Sequence, residues 1–114
     1  MIGLYARKVR AMSAKPVPPR VRRAAVDLGE HVRTWRKLQG VTAQQLAERA
    51  NITRDTLRRL ETGKPVGSDV LLNVIRCLGQ LDRLLDALDP YETDLGRARA
   101  GDALPQRVRV RSTR

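Results

Sequence analysis

Between Arg20 and Pro90 the chain is cut into short helical stretches by repeated start and stop signals, and few folds accept such a pattern. Thr42-Ala43-Gln44-Gln45 carries Thr at an N-cap position and Gln three residues on, the capping box that satisfies two free backbone donors. Thr53 is a second N-cap, and Ser68 is read as a third. Gly40, Gly63 and Gly79 stand where helices should end, and Pro90 closes the last one. Helical spacing fills the intervals. Val21, Ala25, Leu28, Val32 and Trp35 form one stripe from about Arg20 to Gly40. That helix is longer than a small core needs, so its first turns are expected to project beyond it. Leu46, Ala47 and Ala50 face inward in the next helix, which ends near Asn51, and Leu57 and Leu60 do so in the third. Val70, Leu71, Val74, Ile75 and Leu78 form a fourth stripe, and Leu81, Leu84, Leu85 and Leu88 a fifth. No long alternating strand pattern appears over 20–90, so the spacing predicts an all-α domain of five short helices.

Charge divides the 114 residues differently. The net charge is +11, of which residues 1–23 hold +7 with no acid at all, through Arg7, Lys8, Arg10, Lys15, Arg20, Arg22 and Arg23. Residues 24–88 and 89–114 hold +2 each. An acid-free basic block attracts polyanions, so nucleic acid or an anionic membrane surface are the first partners to weigh. With Pro16, Pro18 and Pro19 behind it, this start reads as a flexible basic arm over 1–19. A transit peptide shares that composition. The domain then covers 20–89, and a basic tail covers 90–114. Within the tail, Gln106 to Arg111 alternates Arg and Val, a strand period if it finds a partner.

Composition excludes several functions. One cysteine, Cys77, cannot make an intramolecular disulfide or a Cys-based zinc site, and one histidine, His31, cannot make a His-rich metal site. No apolar run nears the roughly 18 residues of a membrane span. Phe is absent, and Tyr5, Trp35 and Tyr91 are too few for a base-stacking platform. No Ser/His/Asp or Cys/His set beyond single copies and no Gly-rich phosphate loop is present, so neither an enzyme nor a cofactor is expected.

The segment Thr42 to Gly63 reads helix, short turn, helix, with small Ala47 where two helices must cross closely. The outward residues of its second helix are Arg54, Asp55, Arg58 and Arg59. Arg bonds guanine O6 and N7 with two donors, and Asp accepts from cytosine N4. Helix starts at Thr42 and Thr53 can each hold a backbone phosphate. Alone, such charges are often only a solvated helix face, and Asp55 can equally pair with Arg58 or Arg59.

From Val41 through Leu46, Ala47, Ile52, Thr53, Leu57 and Leu60 to Gly63, the sequence resembles the Cro/C1-type (XRE) helix-turn-helix regulators. The resemblance spans about residues 26–80. It implies a five-helix, lambda-repressor-like domain that binds double-stranded operator DNA, usually as a dimer, in the cytoplasm and on the nucleoid. It implies that Thr53 caps the recognition helix and that Arg54, Asp55 and Arg59 face base edges. Thr56, Arg58 and Lys64 would lie near bases or phosphates. Arg36 and Glu61 match a buried ion pair joining the first and third helices. The family usually carries Gln just after the first N-cap, where it contacts a phosphate. This chain has Ala43 there, with Gln44 beside it as the substitute. The leucine-rich fifth helix and basic tail are also similar in style to HipB-like antitoxins, which bind a kinase toxin and regulate their own operon.

The remaining residues have plainer readings. His31 is expected half-exposed, Cys77 a small core residue and Trp35 a core residue. Leucines 81, 84, 85 and 88 either close the core or form a dimer seam. Two functions from one fold are therefore expected to compete, a dimeric repressor and a toxin-binding antitoxin. A membrane- or RNA-binding module stands behind them.

Overall fold

The computed structural model describes residues 16–101. The helices run in order as α1 Pro19–Leu38, α2 Ala43–Arg49, α3 Arg54–Glu61, α4 Ser68–Cys77 and α5 Leu81–Leu88. A 3-10 turn, Pro90–Glu92, and a helix α6 at 94–101 follow. There is no strand among the described residues. Most of the basic arm, the residues before 16, and the Arg/Val alternation at 106–111 lie outside the described residues.

The first four helices stop by one device. Gly40, Asn51, Gly63 and Gly79 follow them with φ of 70°, 55°, 82° and 74°. In each case the next residue's N–H reaches back to the third carbonyl from the helix end, as Val41 does to Arg36 at 2.9 Å and Ile52 to Ala47 at 3.0 Å. This turns the chain sharply without leaving orphan carbonyls. Asn tolerates the left-handed conformation better than most residues, which suits Asn51.

The core joins α1 to α4. Val32, Leu46, Leu57 and Val74 are the largest side chains sealed in it, with Val41, Ala47, Ala50, Leu60 and Leu78 around them. Two side chains brace the turns from outside. Gln39 donates to the Leu78 carbonyl at 2.8 Å, tying the end of α1 to the end of α4. Asn73 donates to the Ala50 carbonyl at 2.9 Å, holding the α2–α3 turn against α4.

Four details differ from the sequence reading. Helix α1 begins at Pro19, one residue before Arg20, because Pro at N1 has no N–H to lose and its φ already suits a helix. Val21, expected on the buried stripe, is exposed, since the buried residues of α1 begin only at Gly29. Ser68 does not cap α4. Gly67 holds the N-cap position with no side-chain bond, and Ser68 is the first helical residue. The segment read only as a basic tail contains α6. Thr93 accepts from the Gly96 N–H at 2.9 Å and donates to the Pro90 carbonyl at 2.7 Å, starting that helix. Arg97 then bonds the Tyr91 carbonyl and Asp94.

Candidate nucleic-acid interface

Helix α3 is held from both sides so that its outer face is fixed. Leu57 and Leu60 anchor it in the core. Gly29 of α1 lies against its last turn: a Cβ on Gly29 would sit 2.4 Å from the Leu60 carbonyl oxygen and 2.7 Å from that of Glu61. Only hydrogen fits at that crossing. Gly29 was missed in the sequence, although a glycine inside a helical pattern is itself a sign of close backbone approach.

Arg36 locks the same crossing. Its Nε donates to Glu61 Oε2 at 2.9 Å and its Nη2 to Glu61 Oε1 at 3.2 Å, a two-pronged pairing. Its Nη1 donates to the Val41 carbonyl at 3.2 Å. Both side chains are about 10% exposed. One guanidinium therefore ties α1 to the end of α3 and to the approach to α2.

Caps set the starts of α2 and α3. Thr42 Oγ1 accepts from the Gln45 N–H at 3.1 Å, and the Gln45 side chain accepts from the Thr42 N–H at 2.9 Å, completing the capping box. Thr53 Oγ1 accepts from the Thr56 N–H at 3.1 Å, and the two Thr hydroxyls lie 2.9 Å apart.

Apart from Glu61, the charged residues of α3 are exposed and fall on two flanks. Arg54, Asp55 and Arg58 border a cleft of about 450 Å³ shared with Arg33, Arg36 and Ala43. Arg54 donates to Gln44 Oε1 at 3.4 Å, and Gln44 donates to Glu48 at 2.9 Å, so the two helices of the motif are linked across their outer surface. On the other flank Arg59 donates to the Pro65 carbonyl at 2.9 Å, beside exposed Lys64. Asp55 is in no ion pair among the described residues, with Arg58, Arg59 or any other cation. Arg33 is the second residue that the sequence reading passed over. The available signal was its place three residues before Arg36, on the same face of α1.

A two-helix motif, caps at both starts, a braced turn and an outward basic helix describe a DNA-reading element. A family model for the helix-turn-helix domain matches residues 27–95, well over half the chain. The chain belongs to the helix-turn-helix domain family. Comparison with curated proteins gives no match, and comparison with solved structures gives none either. The helix-turn-helix match runs past residue 80 through α5 and the 3-10 turn, so these belong to the family's domain and are not an appendage. Membership makes this a DNA-binding protein of the regulator type. Among the described residues no helix is long and apolar enough to cross a membrane, and no cluster of His, Cys, Asp and Glu could hold a metal.

His31 is exposed, beyond the half-exposure expected of it. Trp35 is only half-buried: it packs on the core edge, with the Arg83 guanidinium 5.9 Å from its ring centre. Cys77 packs partly buried against the core.

Proposed function

We propose that this helix-turn-helix protein is a transcriptional regulator that reads a specific duplex sequence, acting as a homodimeric repressor on a palindromic operator in the cytoplasm. The observation that carries the reading is the contrast across α3. Its inner face is immobilised by Leu57, Leu60 and the Arg36–Glu61 pair, while Arg54, Asp55, Arg58 and Arg59 are exposed. A rigid helix presenting bidentate donors suits base-edge recognition. In this reading Arg54, Asp55 and Arg59 meet bases, and Thr42, Gln44, Thr53, Thr56, Arg58 and Lys64 lie along the backbone or near bases. The dimer is supported by α5, whose Leu85 and Leu88 are 56% and 74% exposed.

That same apolar face supports the second reading, a HipB-like antitoxin whose partner is a toxin protein. Selection of bound duplexes from a random pool tests the first. The expected result is a palindromic consensus with half-sites one helical turn, about 34–36 Å, apart or a multiple of it. A consensus without symmetry would remove the dimeric reader. Arg54→Ala and Arg59→Ala should each relax preference at one base position by roughly 1–3 kcal/mol. Equal weakening on every sequence would make them phosphate contacts instead. Capture of a toxin encoded beside this gene, with loss of its activity, would favour the antitoxin.

A further inference from the structure

We propose that the cleft between α1 and α3 seats one phosphodiester group of the DNA backbone, held jointly by Arg33 and Arg58. This rests on the DNA-reading proposal above and adds a residue outside the motif to it. The cleft encloses about 450 Å³, within the range that takes a small ligand and enough for a sugar-phosphate unit.

Its arginines are not equivalent. Arg36 is spent on Glu61 and the Val41 carbonyl, and Arg54 is directed to Gln44. Arg33 and Arg58 donate to no side-chain or backbone acceptor among the described residues. A guanidinium offers five donors in a planar fork that matches phosphate oxygens. Two carboxylates also line the cleft. Glu61 is neutralised by Arg36, and Asp55 is the one opposing charge, so four guanidiniums face two carboxylates. Ala43 contributes only a methyl group to the wall, which leaves the space open. The cleft runs along α3 from Arg54 to Thr62, so it takes in the N-terminal residues of the recognition helix, the end that contacts base edges. The backbone bordering the major groove would then pass its mouth.

The test is the salt dependence of binding to the selected duplex, for the full chain and for Arg33→Gln, Arg58→Gln and the double variant. Each neutralised phosphate adds about 0.9 to the slope of log K against log salt. With one cleft on each half-site of the dimer, each single variant should lower the slope by about 1.8. The double variant should lower it by about 1.8 and not about 3.6, because the two arginines of one subunit share one phosphate. Arg33→Gln should leave base preference unchanged, and Arg33→Lys should restore most of the slope. A neutral methylphosphonate placed at one position per half-site should weaken the full chain and leave Arg33→Gln unaffected.

An unchanged slope in folded Arg33→Gln overturns the proposal while leaving the DNA reader intact, and so does a doubled loss in the double variant. Inorganic phosphate that shifts the Arg33 and Arg58 NMR signals, with no slope change in Arg33→Gln, would assign the cleft to a free anion and overturn it too. Failure of the full chain to bind any duplex would instead overturn the underlying reading, and the cleft with it. Arg33 is exposed and its side chain makes no hydrogen bond or ion pair among the described residues, so a matching thermal midpoint certifies that Arg33→Gln is folded.

Discussion

Helices α3 and α5 are both eight residues long and both strongly amphipathic, yet the chain treats them in opposite ways. The apolar face of α3 is sealed, with Leu57 and Leu60 at 1% and 4% exposure, and its charged face is left without cover. Helix α5 buries no residue. Leu81 and Leu84 are half-buried, and Leu85 and Leu88 face outward. At its foot is an apolar groove of about 290 Å³ lined by Leu28, Trp35, Ile75, Leu84 and Ala87, among others. An amphipathic pattern states that a face needs cover. It does not state whether the same chain supplies it. For α3 the cover is internal, and function is assigned to the charges. For α5 the charges are ordinary, and it is the apolar side, at Leu85 and Leu88, that no described residue covers.

The largest effects should come from unsealing α3. Glu61→Ala leaves the Arg36 guanidinium buried with only the Val41 carbonyl as acceptor. Loss of one partner of a buried pair costs on the order of 3–5 kcal/mol, so urea unfolding should shift strongly to lower concentration. A cost below about 1 kcal/mol would be that of a surface ion pair, and α3 would no longer be the locked element of the comparison.

Gly29→Ala should come next. In an isolated helix this change gains roughly 1 kcal/mol. Here the new Cβ meets backbone oxygens of Leu60 and Glu61, which cannot swing aside as a side chain could. The expected net result is a loss of about 1–3 kcal/mol, read as a lower thermal midpoint. A stabilised Gly29→Ala would show that α1 and α3 separate freely, and the outer face of α3 would not be held in place.

The two helices also differ in how much of them is legible in the sequence. Local chemistry was legible: Thr42, Thr53, Gly40, Gly63 and Gly79 act over four or five residues, and all five do what their type and position suggest. Ser68 failed for a local reason as well. Gly67 beside it adopts the extended N-cap conformation itself, at φ −65° and ψ 149°, and moves the boundary by one residue. Thr93 is a start signal hidden by the polar residues around it, so α6 went unread. Contacts between distant segments were less accessible. The spacing within α1 gives its stripe, but not that Gly29 meets the carbonyl of Leu60 or that Arg33 shares a cleft with Arg58. Those depend on the crossing of two helices, which no single periodicity encodes. For α5 the spacing gave the leucines and left their use open, and the fold narrows the question to Leu85 and Leu88.

The smallest effect on stability should accompany the largest effect on assembly. Leu85→Ser and Leu88→Ser, alone or together, remove side chains that are already mostly in water, so each should change unfolding free energy by no more than about 0.5 kcal/mol. If this face joins two copies, sedimentation equilibrium should give a dimer for the full chain and a monomer for the double variant. Affinity for a two-half-site duplex should then fall to that for a single half-site. A loss of 2 kcal/mol or more measured on the monomer would mean that the chain itself covers α5, erasing its difference from α3. A double variant that stays dimeric would place the seam elsewhere and leave the leucine face to a partner of another kind, the outcome the antitoxin reading requires. Stability and assembly thus separate the two readings at the same pair of residues, because a side chain that folding does not bury can be removed without touching the helix that reads DNA.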